Sequence, residues 1–178
     1  IGKAVIVEEA ELVITRQPVS DGEAEVERFK GALAETIAQT ETLAADLATR
    51  VGEKEAEIMQ GHLMLLNDPM LTNEIENAIT GDNVCSEFAI ETVCTMYADM
   101  FASMGDELMQ QRATDMRDIK VRMQRTLMGL ESVDVSLLPK GSILVAKDLT
   151  PSMTAGINPE NVSGIVTELG GKTSHSAI

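Results

Sequence analysis

The sequence predicts an α+β protein in which a small α/β domain is interrupted by an inserted bundle of helices. Three observations support this prediction. Both ends of the chain carry β-branched segments, the middle has helical spacing, and the pattern changes near residues 18 and 131. We therefore expect a discontinuous α/β domain over residues 1–18 and 132–178, and a helical domain over residues 19–131. Two sequential domains would fit the same pattern almost as well.

The amino-terminal segment has the alternating, β-branched character of short strands. Residues 4–7 predict one strand, residues 8–11 a turn and residues 12–14 a second strand. Pro18 is expected to end this segment, because proline lacks the N–H group that a continuing strand needs.

The helical middle is expected to begin at a capping box. Ser20 and Glu23 have the Ser-x-x-Glu spacing that can satisfy two orphan amide groups. Apolar residues then recur every three or four positions. The pattern predicts about four helices and a short one, with the eleven methionines filling gaps in the core. Helix boundaries are expected at Gly52, Pro69, Gly81, Asp106 and Gly129.

Two further strands are expected near the carboxyl end of the chain. Residues 142–146 and residues 162–167 are short apolar runs with turn residues before them. A single helical turn is expected over residues 153–157, where the following Asn-Pro pair stops it. Residues 170–175 then form a loop that opens a helix.

Composition excludes several classes of protein. The net charge of −15, the aromatic content of 2% and the absence of Trp argue against a nucleic-acid-binding surface. No apolar run approaches the roughly 20 residues of a membrane span. Cys85 and Cys94 lie on one predicted helix and cannot easily form a disulfide, so we expect a reduced, cytoplasmic compartment. The chain starts at Ile1, and we expect it to be part of a larger protein.

The residues with the clearest chemistry are Gly170, Gly171, Lys172, Thr173, Ser174 and His175. Two glycines let the backbone approach a ligand closely, and Thr173 or Ser174 can cap a following helix. A helix start favours an anion such as a phosphoryl group, and an imidazole beside it can act as a nucleophile. A histidine that only satisfies the helix start explains the same residues without any catalysis.

This Gly-Gly-Lys-Thr-Ser-His run closely resembles the phosphohistidine signature of the phosphoenolpyruvate-utilising enzymes. Residues 25–29, 61–65, 112–119 and 148–152 resemble stretches of one branch of that family, enzyme I of the bacterial sugar phosphotransferase system. The resemblance covers nearly all of the chain and is to the amino-terminal half of enzyme I. It implies a phosphohistidine α/β domain, incomplete at its carboxyl end, and a helical domain that binds the phosphocarrier HPr.

The resemblance also implies roles for single residues. His175 matches the histidine that takes a phosphoryl group from phosphoenolpyruvate and passes it to HPr for sugar uptake. Thr154 matches a threonine that hydrogen-bonds this imidazole, and residues 170–174 form the phosphate loop beside it. Phosphoenolpyruvate, Mg²⁺ and homodimerisation belong in the family to a carboxy-terminal domain, so no cofactor is expected in this part.

On the helical side, the resemblance assigns Glu53, His62, Arg112 and Asp115 to segments of the HPr face. Each has a plainer explanation. His62 lies in an apolar stretch where core histidines are common, Arg112 and Asp115 have the spacing of a surface ion pair, and Glu53 suits a solvated face. No ligand spacing supports a metal site.

Three alternatives stay open. A nitrogen-branch paralogue of enzyme I or a fused phosphocarrier would share the same residues, and sequence outside residues 1–178 would distinguish them. A non-enzymatic alternative is an acidic helical binding module in which His175 is structural. The Gly-Gly-Lys-Thr-Ser-His run favours the enzyme, because a scaffold does not need it.

Overall fold

The computed structural model describes residues 2–169 of the chain. Within that range the elements follow one another as β1 (Lys3–Val7), α1 (Gly22–Arg50), α2 (Glu53–Leu66), α3 (Pro69–Asp82), α4 (Ser86–Ser103), α5 (Glu107–Met128), β2 (Ser142–Ala146), α6 (Pro151–Gly156) and β3 (Val162–Thr167). A single 3-10 turn at Val135–Leu137 lies between α5 and β2.

The three strands form one parallel sheet in the order β1-β2-β3. Val5 of β1 is opposite Leu144 of β2, which is opposite Ile165 of β3. Because β1 and β2 are neighbours, the chain leaves the sheet after Val7 and returns to it at Ser142. The predicted α+β class, with helices inserted between strands of a small α/β unit, is confirmed.

The first five helices pack into a bundle whose core comes from the apolar positions that recur at helical spacing. Phe29 of α1 is completely buried there, together with Ile90 of α4 and Met116 of α5. The α1–α2 junction depends on Gly52, whose φ of 150° is open mainly to glycine. The buried members of this core are Val26, Phe29, Leu66, Leu71, Ile75, Ile79, Val84, Ala89, Ile90, Val93, Cys94, Ala98, Met116, Ile119 and Met123.

The short helix α6 connects the sheet to the bundle. Arg50, at the end of α1, donates hydrogen bonds to the carbonyl oxygens of Ile157 (2.7 Å) and Ala155 (3.1 Å) at the end of α6. At the start of α6, the amide and hydroxyl of Ser152 donate to the two carboxylate oxygens of Asp118 on α5, at 2.7 and 2.8 Å. Both ends of α6 are therefore held by the bundle.

Two local predictions were wrong. Residues 12–14 form no strand, although Leu12 and Ile14 are more buried than Val13, because no strand within the described part of the chain pairs with them. The first helix is capped by Asp21, whose Oδ1 accepts from the Ala24 amide at 3.0 Å, and not by Ser20. Asp at the cap also places a negative charge at the positive end of the helix.

The two cysteines lie at the start of α4 and in its middle. Cys85 is the residue before α4 and Cys94 lies within it, and both are free thiols. None of the helices between residues 2 and 169 is both long and apolar enough to cross a membrane.

Candidate functional site

Thr154 lies in α6, on the wall of an apolar groove of about 630 Å³. The groove runs between the α1–α2 junction, represented by Leu47 and Ile58, and the strand β3, represented by Val162 and Ile165. The Thr154 hydroxyl donates a hydrogen bond to the carbonyl oxygen of Thr150, one turn earlier, at 3.0 Å. Its oxygen therefore keeps lone pairs that can accept a proton from a neighbouring group.

The remaining predicted residues of the phosphohistidine site lie outside the described residues. These are Gly170, Gly171, Lys172, Thr173, Ser174 and His175. Their predicted roles stay predictions.

Three of the four residues predicted for the HPr face come together between α2 and α5. The ring Nε2 of His62 lies 3.2 Å from Asp115 Oδ1, and the Arg112 guanidinium lies 3.6 Å from Asp115 Oδ2. His62 is completely buried, the Asp115 side chain is 7% exposed, and that of Arg112 is 27% exposed. A buried carboxylate needs such partners, since it loses its hydration on folding.

His62 therefore differs from its predicted role. We expected it on the partner face, but its ring is inaccessible from outside the molecule. The apolar stretch around it, which favoured a core histidine, agrees with this position. The one polar contact of its ring within residues 2–169 is with Asp115, which in turn pairs with Arg112.

Gly61 explains how Arg112 can lie so close to α2. A Cβ atom built on Gly61 would overlap the Arg112 guanidinium nitrogen Nη1. The missing side chain thus leaves room for the guanidinium against the main chain of α2.

Glu53 is not part of this cluster. It is the first residue of α2 and exposed, about 13 Å along the helix from His62 at a rise of about 1.5 Å per residue. Its carboxylate lies in the first turn, where it complements the positive end of the helix dipole.

The methionines are divided between the core and the surface, which corrects the expectation that they fill the core. Met59, Met116 and Met123 are buried. Six others are exposed by more than 40%, namely Met64, Met70, Met96, Met100, Met104 and Met128. Flexible, polarisable side chains on a surface suit contact with another protein.

Among residues 2–169, no group of three or more His, Cys, Asp and Glu side chains is placed to hold a metal ion.

Comparison with known families finds matches for two parts of the chain. Residues 1–112 match the family model for the amino-terminal region of PEP-utilising enzymes, and residues 138–178 match the model for the mobile domain of the same enzymes. The chain belongs to the PEP-utilising enzymes. Within this family, the amino-terminal match contains Glu53, His62 and Arg112, and the mobile-domain match contains Thr154 and His175.

Comparison with individual proteins shows which PEP-utilising enzymes this chain is similar to. The chain is 41% identical over 178 residues to the phosphoenolpyruvate-protein phosphotransferase of Bacillus subtilis (strain 168), covering 100% of this chain and 31% of that protein. It thus spans about a third of the length of the curated relatives it matches. A solved structure of Enzyme I has a TM-score of 0.87 and 35% identity, covering 99% of this chain and 72% of that one.

A second solved structure, the N-terminal domain of Enzyme 1 - Nitrogen, has a TM-score of 0.71 and 25% identity. It covers 98% of this chain and 72% of that one. The predicted resemblance to the amino-terminal part of enzyme I is confirmed.

Sequence reasoning missed the residues that join the helical bundle to Thr154. Asp118 and Ser152, which hold the start of α6, were both inside stretches that resemble enzyme I, but were given no role of their own. A signal existed, because Asp118 stands three residues after Asp115 and so lies near it on one helix surface. Nothing in the sequence pattern pointed to Arg50, whose carbonyl partners are more than 100 residues away.

Proposed function

We propose that this chain is the phosphoryl-carrying, amino-terminal part of a phosphoenolpyruvate–protein phosphotransferase. In this proposal His175 accepts a phosphoryl group from phosphoenolpyruvate, with the help of a carboxy-terminal domain, and passes it to HPr for sugar uptake. One observation carries the proposal. The Gly-Gly-Lys-Thr-Ser-His run falls inside the mobile-domain match of a chain that aligns over its whole length with phosphoenolpyruvate-protein phosphotransferases.

The chemistry proposed for His175 is nucleophilic. One ring nitrogen attacks phosphorus, an N–P bond forms, and the P–O bond to the enol oxygen breaks with its electron pair, leaving the enolate of pyruvate. A histidine of HPr then attacks the same phosphorus and releases the imidazole of His175. In this proposal the amide groups of residues 170–174 bind the phosphoryl oxygens, and two glycines among them allow the main chain to approach closely.

Thr154 supports this chemistry through its free lone pairs. Its hydroxyl proton is committed to the Thr150 carbonyl, so towards an imidazole it can act as an acceptor. Accepting the N–H of one ring nitrogen would fix the tautomer and leave the other nitrogen, Nε2 in our proposal, free to attack. His175 is eight residues beyond Thr167, the last residue of β3, so the chain can place it at most about 29 Å from there.

The proposed HPr-binding surface lies on the helical bundle. Exposed Met64, half-buried Arg112 and exposed Glu53 on α2 and α5 combine apolar and charged groups. The net charge of −15 favours a basic partner, since opposite charges attract during encounter. We extend the proposal to the sugar branch because the similarity to Enzyme I exceeds that to the nitrogen enzyme.

Other properties are proposed on the family relationship. Mg²⁺ binding, phosphoenolpyruvate binding and homodimerisation are assigned to the carboxy-terminal domain of the complete enzyme. A cytoplasmic location is supported by the two free thiols, which suit a reducing compartment. The proposed domain boundaries remain residues 1–18 with 132–178, and 19–131.

The first experiment offers radiolabelled phospho-HPr to the 178-residue chain and to its His175→Ala variant. The expected result is an acid-labile, base-stable label on the wild type and none on the variant. The chain has only two histidines, and His62 is buried, so peptide mapping should find the label on His175 alone.

If neither protein is labelled, the same pair is compared in the complete natural enzyme. Absence of label there as well overturns the proposal. Binding of HPr without any label would then favour the acidic binding module.

A further inference from the structure

His62, Asp115 and Arg112 form a path from the interior of the helical bundle to its surface. The exposed fractions of their side chains rise along it, from 0% to 7% to 27%. Asp115 stands in the middle and uses a different carboxylate oxygen for each neighbour. Residues on both α2 and α5 therefore decide where the Arg112 guanidinium lies.

The hydrogen bond to Asp115 fixes which ring nitrogen of His62 is the donor. A carboxylate oxygen can only accept, so the proton lies on Nε2, and the bond runs from Nε2 to Asp115 Oδ1. Nδ1 is buried and has no hydrogen-bond partner within the described part of the chain. Asp115 therefore accepts from His62 through one oxygen, while its other oxygen faces the Arg112 guanidinium.

Gly61 makes the second contribution of α2. A side chain at this position would overlap Arg112 Nη1, so glycine lets the guanidinium lie against the helix. Gly61 thus provides the space for Arg112, and the next residue, His62, holds the Asp115 carboxylate that pairs with Arg112.

Stability alone does not explain this arrangement. Buried polar pairs can often be replaced by apolar residues of similar size without loss of stability. What the pair provides and an apolar residue cannot is a fixed position for the Asp115 carboxylate. An arginine held in one rotamer binds an acceptor with a smaller loss of conformational entropy than a free one.

We infer that His62 is a positioning residue for phosphocarrier docking: through Asp115 it holds Arg112 over Gly61, where the guanidinium meets a hydrogen-bond acceptor of the docked protein. This inference rests on the proposed function, because it takes HPr as the partner. It gives His62 a role without any contact to HPr.

The experiment compares four variants in phosphoryl transfer from phospho-HPr. His62→Leu removes the hydrogen-bond donor, His62→Gln keeps a donor near the position of Nε2, and Gly61→Ala displaces Arg112. Gln60→Leu is the matched control, since Gln60 is exposed on the same helix. We expect His62→Leu and Gly61→Ala to raise the KM for phospho-HPr about five- to tenfold, with kcat within about twofold of wild type. His62→Gln should recover most of the affinity, and Gln60→Leu should match the wild type.

A double-mutant cycle tests whether His62 acts through Arg112. In an Arg112→Ala background, His62→Leu should raise the KM no further. Additive effects in the cycle, a fall in kcat with unchanged KM, or no effect of His62→Leu would each overturn the inference.

A measurement without HPr separates this inference from the proposed function. Hindered rotation of the Arg112 guanidinium, observed by ¹⁵N NMR of the free protein, should persist in His62→Gln and disappear in His62→Leu. If the wild type does not bind HPr but this pattern holds, the proposed function fails and the docking inference with it, while the positioning of Arg112 stands. If the Arg112 signal is indifferent to residue 62, the positioning itself is wrong.

Discussion

At the scale of single residues, Cys94 shows how completely the bundle excludes water. Its thiol is free and buried among apolar side chains of the core. Burial raises the pKa of Cys94 from an ordinary 9.0 to about 12, Lys120 nearby lowers it, and Glu91 raises it further. The thiol thus stays protonated and unreactive at neutral pH, because the thiolate is the nucleophilic form.

We predict that this thiol makes the protein less stable at alkaline pH. The folded-state pKa is raised, so its contribution is fully present below about pH 9 and is lost as the pH rises towards about 12. Over that window the free energy of unfolding should fall by up to about 1.4 kcal/mol per pH unit from this one group. Urea titrations of wild type and Cys94→Ala between pH 8 and 10.5 would measure the difference. Equal slopes for both proteins would contradict the prediction.

Thr154 provides a prediction about the reaction itself. Thr154→Val keeps the shape of the side chain but removes the proposed acceptor for the imidazole N–H. We expect phosphoryl transfer to slow by about tenfold, since one hydrogen bond of about 1 kcal/mol or slightly more is lost. The measurement is the rate of label transfer from phospho-HPr.

The control for this prediction is Thr49→Val. Thr49 is exposed on α1 and makes the same kind of bond to a carbonyl oxygen, that of Ala45, at 3.0 Å. Unchanged transfer in Thr154→Val, or an equal slowing in Thr49→Val, would show that Thr154 does not contact the imidazole.

At the scale of helices, Arg28 joins three elements of the bundle. Its guanidinium pairs with Glu25 on α1 and Glu87 on α4, and donates to the Leu127 carbonyl oxygen on α5 at 3.0 Å. Burial raises the pKa of Glu87, but its hydrogen bonds to Arg28, to a backbone amide and to Cys85, together with the charge of Arg28, outweigh burial, so the net shift is downward from 4.5. The same carboxylate raises the pKa of Arg28, so both groups stay charged at neutral pH.

We predict that this contact makes stability sensitive to acid. The folded-state pKa of Glu87 is lowered, so its stabilisation is present above about pH 4.5 and is lost as the pH falls through the lower folded value. Between pH 5 and pH 3, wild type should therefore lose more stability than Glu87→Gln. Chemical denaturation at several pH values across this range measures the free energy of unfolding of both proteins. Glu27→Gln is the control, because Glu27 is 75% exposed and its pair with Lys30 is long, at 3.4 Å. If the stability of Glu87→Gln falls between pH 5 and pH 3 as steeply as that of wild type and of Glu27→Gln, Glu87 is not the source of the acid sensitivity.

The start of α6 is held to α5 by one carboxylate, that of Asp118. Asp118→Ala removes the acceptor for both the amide and the hydroxyl of Ser152. We predict a destabilisation of about 1–3 kcal/mol and faster amide exchange in α6, because the Ser152 donors lose their partner. Exchange in the core of α4 should change less, since its contacts are untouched.

Asp99→Ala serves as the control for Asp118. The side chain of Asp99 is 72% exposed, and its one ion pair within residues 2–169, to Arg117, is 4.0 Å long. If both variants lose the same stability, Asp118 has no special role in holding α6.

At the scale of the whole molecule, the net charge of −15 would attract a basic partner in the proposed encounter. We predict that the association rate with HPr falls as ionic strength rises, because salt screens the electrostatic attraction. At 0.1 M the screening length is about 10 Å. Stopped-flow measurements between 0.02 and 0.5 M NaCl would follow it, with the dissociation rate changing much less. An association rate that is constant over this range would show that the acidic charge has no part in the encounter.

The sequence predicted most elements because their causes are local. Residues 142–146 and 162–167 are apolar runs of strand length, and the structure has strands with those bounds. The helix junction at Gly52, the Pro69 start and the Gly129 end follow from the conformations that glycine and proline favour. The strand expected at residues 12–14 failed because a strand also needs a partner, which its own pattern cannot supply.

By itself, then, the sequence determined the fold class, the helical bundle, the positions of β2 and β3, and the family signature ending in His175. Each of these depends on spacing or on contiguous residues. Only the tertiary structure decided that His62 is buried, that Gly61 makes room for Arg112, and that Asp118 and Arg50 hold α6. These contacts join residues 34 to 107 positions apart, and such pairings depend on how the helices pack, which no local pattern records.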